Sequence, residues 1–177
     1  LGVKIDLDPP TASRILRETG IVFLFAQTHP PAWRHVASAR RAIGKRTIFN
    51  LLGPLASPAR VKRQLVGVFA EEWLVPYAEA LRALGCERAM VVHGRDGLDE
   101  LTTTDITYVA SLADGVITRS QIAPEDAGLT RASLADLQGG VATENAKALT
   151  ALFAGDPGAY RDIVLLNSAA ALMVAGR

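Results

Sequence analysis

Ala89-Met90-Val91-Val92-His93-Gly94-Arg95-Asp96-Gly97-Leu98-Asp99-Glu100 decides how this 177-residue chain is read. Four consecutive apolar residues predict a strand buried on both faces, because a half-exposed strand would alternate. Two glycines then break the run, and carboxylates stand at positions 96, 99 and 100. A loop at the carboxyl end of a strand is where α/β sheets place their ligands. The adjacent acids Asp99 and Glu100 suit a hard cation, since Mg²⁺ takes one or two carboxylates and completes its shell with waters and substrate phosphates. A Gly-rich turn with solvated acids accounts for the same residues, so at this level both readings stand.

Downstream, Ile106–Leu112 and Val116–Ile122 flank Ala113-Asp114-Gly115, and Asp-Gly between alternating runs predicts a β-hairpin. Upstream, Gln64–Phe69 reads as a strand and Glu71–Leu84 as a helix, with Pro76 marking a kink. Asp8-Pro9-Pro10-Thr11 opens a first helix whose inner stripe is Ala12, Ile15, Leu16 and Thr19, and Gly20 stops it. Ile21–Phe25 reads as a strand, and residues 32–43 as a basic helix. Thr47–Leu52 is apolar and fits a helix turn or a strand, and Gly53–Pro58 reads as an irregular loop. Helices are expected near Ser133–Leu137, Thr143–Phe153 and Pro157–Val174. Strands alternating with helices predict an α/β fold: a mostly parallel central sheet, helices on both faces, and one antiparallel hairpin at an edge.

The composition bounds this reading. A net charge of +1 gives no electrostatic case for nucleic acid or an anionic membrane. With 49% apolar and 6% aromatic residues the chain is an ordinary globular sequence, and no apolar run has the length of a membrane span. One cysteine, Cys86, leaves no internal disulfide and fits a reducing cytoplasm, where it reads as a small packed residue. The ends, Leu1-Gly2-Val3 and Ala175-Gly176-Arg177, read as those of an internal piece of a longer protein.

Three other stretches bear on function. Arg34, Arg40 and Arg41 follow Thr28-His29-Pro30-Pro31, and guanidinium groups beside a loop can hold a carboxylate bidentately. A solvated helix face is the alternative, and Arg40 and Arg41 cannot share a face. In Arg46–Leu55, Asn50 lies in an apolar run and needs partners if buried. There Gly53-Pro54 gives a rigid bend able to approach a planar ligand, or simply a turn. Gly139-Gly140 precedes Thr143, a candidate helix cap. His29 and His35 stand in no nucleophilic arrangement, and zinc, Walker-type and dinucleotide motifs are absent, which counts against hydrolase, kinase and dehydrogenase chemistry.

In order and spacing, Arg34-His35-Val36, Arg40-Arg41, Arg46-Thr47-Ile48-Phe49-Asn50-Leu51-Leu52-Gly53-Pro54-Leu55, His93-Gly94, Asp96–Glu100, Gly139-Gly140 and Glu144-Asn145-Ala146 resemble the anthranilate phosphoribosyltransferases. The resemblance runs over essentially the whole chain, and Arg46–Leu55 is its most specific part. It implies the catalytic α/β domain, residues 1–177, of an enzyme of tryptophan biosynthesis. That enzyme transfers phosphoribosyl from phosphoribosyl pyrophosphate to anthranilate, releasing pyrophosphate. It further implies Mg²⁺ dependence, a cytoplasmic homodimer, an upstream small helical domain, and a fold shared with pyrimidine nucleoside phosphorylases. By the same resemblance Asp99 and Glu100 bind Mg²⁺, Arg40 engages anthranilate, and Gly53 and Pro54 line its path.

The family usually has Pro, His and Met where this chain has Gln27, Pro30 and Trp33. Those departures border the aromatic-substrate side and keep a second acceptor in view, another aromatic amine or a nucleobase. A non-catalytic nucleic-acid-binding relative is the reading from a different class, and it would need a concentrated basic stripe. The family's Gly-rich phosphate loop and Lys-His-Gly-Asn segment lie upstream of the residues given, so the 177 residues alone are expected to be inactive.

Overall fold

The structure is a computed structural model that describes residues 1–25 and 48–177, apart from the side chain of Phe49. The chain divides into two compact units, Leu1–Arg60 and Val61–Arg177.

In the first unit, α1 spans Pro9–Thr19. The Asp8 carboxylate accepts from Thr11 N–H at 2.7 Å, satisfying one of the N–H groups left free in a first helical turn. Gly20 ends the helix at φ +79, as expected, and Ala12 of the predicted stripe is buried while Leu16 is largely exposed. Ile21–Phe25 forms no strand. Ile21 and Phe23 are exposed, so β-propensity alone has not brought this run into a sheet. The second helix, α2, spans Phe49–Leu55 and carries Pro54 within it, where an irregular loop was expected from Gly53 onward. The reason is local. Proline disfavours helical geometry in the residue before it partly through a clash with that residue's Cβ. Gly53 has none.

The second unit holds a four-stranded sheet in the order β1-β2-β3-β4: Arg63–Gly67, Arg88–Gly94, Thr107–Ala113 and Val116–Ile122. β1 and β2 are parallel, with Leu65 opposite Met90. β2 and β3 are antiparallel, as are β3 and β4. The α/β class and the hairpin are as expected, but among the described residues the sheet is mixed, with one parallel pair. The cause is the connection from β2 to β3, which contains no helix, so the chain reverses directly instead of crossing over.

Both faces are covered. A 3₁₀ turn, Glu71–Trp73, leads into α3, Leu74–Ala83, which packs on β2, β3 and β4. Pro76 falls in the first turn of α3, where a missing N–H costs nothing, so no kink is needed. Leu74, Tyr77, Ala78 and Leu81 are buried, and each leucine contributes about 1.5–3 kcal/mol. The opposite face is closed by α5, Ala159–Ala175, through Leu166, Ala170 and Val174 against Met90, Val92 and Val109. This double cover explains why Ala89–Val92 is buried without alternation. The remaining helix, α4, spans Ala142–Ala154. Leu134–Leu137 is a 3₁₀ turn capped by Ser133, where a helix was expected. Cys86 packs as expected, its thiol donating to Lys62 O at 3.1 Å, and burial pushes its pKa up.

The hairpin turn is Asp114-Gly115, with φ +51 and +76, the paired left-handed conformation whose twist matches the strands it joins. Gly115→Val places a β-branched side chain at φ +76. Urea unfolding of the variant is expected to show a loss of about 1–3 kcal/mol; an unchanged midpoint would contradict the turn assignment.

Candidate active site

β1 and β2 run in the same direction, so Gly67 and Gly94 end their strands on one side of the sheet. The loop from Arg95 to Ile106 emerges there and is closed at its base by Arg95 N–H donating to Ile106 O at 2.9 Å. His93, the penultimate residue of β2, bonds through Nδ1 to Val68 O at 2.9 Å. A carbonyl only accepts, so Nδ1 carries the proton.

Within the loop the three acids differ. Asp96 is consumed by structure. Its Oδ1 accepts from Leu98 N–H at 3.0 Å, and its Oδ2 accepts from the Thr102 and Thr104 hydroxyls. Gly94 permits this fold-back, since a Cβ there would overlap Asp96 Oδ1. Gly97 takes φ +96 and donates to Gly94 O at 2.8 Å. Asp105, at the foot of the loop, pairs with Arg95 at 2.8 Å and Arg131 at 3.3 Å, and its carboxyl is held below the usual range, chiefly by Arg95.

Asp99 and Glu100 are the remainder. Among the described residues, neither carboxylate takes a hydrogen bond or ion pair, and both side chains are exposed. Glu100 nevertheless has its pKa raised, first by partial desolvation of its carboxyl and then by the charge of Asp99. The backbone of the pair is held in place although its side chains have no partner among the described residues. The Asp99 carbonyl lies against Gly67, where any Cβ would overlap it. Leu101 N–H and C=O are both bonded by Asn167 of α5, at 3.0 and 2.8 Å.

Asp99 and Glu100 are thus two neighbouring carboxylates with no counter-charge among the described residues. Among the described residues no group of three or more His, Cys, Asp or Glu gathers to cage a metal. Two neighbouring carboxylates are the kind of donor a hard cation such as Mg²⁺ accepts, with waters and phosphates completing its shell.

The other expected site residues stand as follows. Arg40 lies outside the described residues, as do Gln27, Pro30 and Trp33. Gly53, half-buried, and Pro54, exposed, lie on α2 in the first unit, while Asp99 and Glu100 lie in the second. Thr143 does not cap α4. Glu144 accepts from Val141 N–H at 3.1 Å, and Asn145 exchanges two bonds with Gly140, accepting at 2.8 Å and donating at 2.9 Å. The glycines serve that fold-back: a Cβ on Gly140 would overlap the Glu144 carboxylate. Gly67, Thr102, Thr104 and Asn167 were not singled out from sequence. For Asn167 a signal existed, a polar residue within the apolar run Ile163–Val174, the same signal noted at Asn50.

The profile of the glycosyl transferase family, a/b domain, matches residues 1–177. The chain belongs to this family. Among curated relatives in the family, the anthranilate phosphoribosyltransferase of Azorhizobium caulinodans is 59% identical over 177 residues, and that of Parvibaculum lavamentivorans 57%. The chain is matched over 100% of its length and spans 52% of each relative, about half. Among solved structures, the anthranilate phosphoribosyltransferase of Thermus thermophilus superposes with a TM-score of 0.87 at 42% identity, over 97% of this chain and 51% of that one. The Saccharomyces cerevisiae enzyme in complex with PRPP and Mg superposes with a TM-score of 0.87 at 27% identity, over 97% and 50%. The resemblance drawn from Arg46–Leu55 and Asp96–Glu100 is thereby borne out. No helix among the described residues is long and apolar enough to cross a membrane.

The raised pKa of Glu100 has a signed consequence for this a/b domain. Its native state holds the proton more tightly than its unfolded state. That advantage is complete below the ordinary Glu range and is lost as pH rises through the folded value. Glu100→Gln removes it. In metal-free buffer the variant's denaturation midpoint is expected to rise relative to the parent as pH climbs from the ordinary Glu range through the folded value. A pH-independent difference would count against the assigned environment.

Proposed function

We propose that the full-length protein is an anthranilate phosphoribosyltransferase, transferring phosphoribosyl from phosphoribosyl pyrophosphate to anthranilate, and that it works as a cytoplasmic homodimer. The observation carrying this is the Asp99–Glu100 pair, two carboxylates without protein partners among the described residues, beyond the carboxyl ends of two parallel strands. Relatives named for the activity and a solved relative complexed with PRPP and Mg support the reading.

The chemistry follows from charge. As the bond from ribose C1 to pyrophosphate breaks, negative charge builds on the leaving group. Asp99 and Glu100 would hold the Mg²⁺ that neutralises it. The pair's pinned backbone means that little reorganisation is needed during bond cleavage. The amine of anthranilate is already nucleophilic and requires orientation, which falls to Arg40 for the carboxylate and to Gly53 and Pro54 for the ring.

Asp99→Asn with Glu100→Gln in the full-length enzyme is expected to lower kcat/KM about 10²–10³-fold, read as pyrophosphate release, with a raised Mg²⁺ requirement. Parent-like rates would remove the proposed role. The departures at Pro30 and Trp33 favour a second reading in which the acceptor is another aromatic amine or a nucleobase. A panel of acceptors at fixed phosphoribosyl pyrophosphate separates the two, and turnover of something other than anthranilate alone would select the second. We further propose that the 177 residues by themselves form no product, since the relatives are about twice as long; detectable phosphoribosyl anthranilate from this chain alone would refute it.

A further inference from the structure

One side chain grips both backbone groups of the residue that follows the acidic pair. Asn167 Oδ1 accepts from Leu101 N–H at 3.0 Å, and its Nδ2 donates to Leu101 O at 2.8 Å and to Ile163 O at 3.0 Å. An asparagine amide has two donor hydrogens, so both are used and the amide cannot turn over without loss. Leu101 is also buried, at 1% exposure, within the cluster containing Leu166, Ala170 and Val174 of the same helix as Asn167. It is therefore held by its side chain and by its main chain. Its N–H belongs to the planar peptide unit that carries the Glu100 carbonyl, so fixing the one fixes the other. On the far side of the pair, the Asp99 carbonyl lies against Gly67 of β1.

We propose that Asn167 is a positioning residue for cation binding, holding the Glu100 backbone so that the Asp99 and Glu100 carboxylates are presented together. This rests on the reading of that pair as the Mg²⁺ site. A residue serving only the fold would change stability while leaving cation affinity and substrate KM in proportion.

The test uses the full-length enzyme as parent, Asn167→Leu, Asn167→Asp, and the Asp99→Asn/Glu100→Gln double variant as reference. Mn²⁺ is titrated by electron paramagnetic resonance in the presence of pyrophosphate, beside steady-state kinetics in Mg²⁺. Asn167→Leu is expected to weaken Mn²⁺ binding about 10–100-fold and to raise the half-activating Mg²⁺ concentration in step, with the anthranilate KM unchanged. Asn167→Asp keeps the acceptor for Leu101 N–H and loses the donor to Leu101 O, so a smaller loss is expected, and it serves if the leucine variant does not fold. Folded Asn167 variants that bind Mn²⁺ like the parent, while the double variant does not, would overturn the proposal and leave the metal site standing. Parent-like Mn²⁺ binding by the double variant would remove the metal site and the positioning role together. If neither Asn167 variant folds, the residue serves stability and the proposal fails.

Discussion

The backbone on either side of Asp99 and Glu100 is held by two unlike contacts, and the site depends on both. On one side the Asp99 carbonyl lies against Gly67, a contact only glycine allows. On the other, Asn167 bonds both backbone groups of Leu101. Side-by-side carboxylates repel, and a flexible loop would separate them. Here the main chain is held on both sides of the pair, and the pKa of Glu100 is raised, first by partial desolvation and then by the charge of Asp99. Restraint of this kind costs stability in the metal-free protein, and it is what prepares a pair of ligands for a cation.

The sheet makes the restraint possible. β1 and β2 are parallel, so Gly67 and the start of the acidic loop arise at the same edge. α5 lies across these two strands and carries Asn167 within hydrogen-bonding reach of Leu101. Leu166 and Ala170, either side of Asn167 in sequence, are buried against Met90, Val92 and Val109. A shift of α5 would therefore disturb the core and the clamp at once. The hairpin β3-β4 continues the sheet away from the site, and its outer strand is largely polar and exposed, a common way of discouraging further pairing at an edge.

Much of this was legible from local signals. Asp8 with two prolines marked the start of α1, Asp114-Gly115 marked the hairpin, and the unbroken run Ala89–Val92 marked a strand covered on both faces. Each depends on neighbours in sequence. Expectations failed where the outcome depended on distant partners or on a pair of residues acting together. Ile21–Phe25 has the composition of a strand without becoming one, and Pro54 sits in a helix because Gly53 precedes it. Thr143 was expected to cap α4, but Glu144 and Asn145 fold back onto the glycine turn instead. At the candidate site the acidic pair could be read from sequence and its supports could not. Gly67 is remote from Asp99 in sequence, and Asn167 more remote still. Arg40 lies outside the described residues, so its place remains a proposal.

The unequal use of the three acids shows how the loop separates scaffold from ligand. A carboxylate offers about four acceptor positions. Three at Asp96 are taken by Leu98 N–H and the Thr102 and Thr104 hydroxyls, which shape the turn and leave little for a cation. Asp99 and Glu100 have none taken by the described residues. The same contrast separates the glycines. Gly94 admits the Asp96 carboxylate, Gly67 admits the Asp99 carbonyl, and Gly97 supplies a positive φ between them. Substituting any of these glycines would disturb the loop that carries the pair while leaving Asp99 and Glu100 themselves in the sequence. One acid of the loop is spent on geometry, and the two beyond it, unpartnered among the described residues, are the ones proposed to hold a cation.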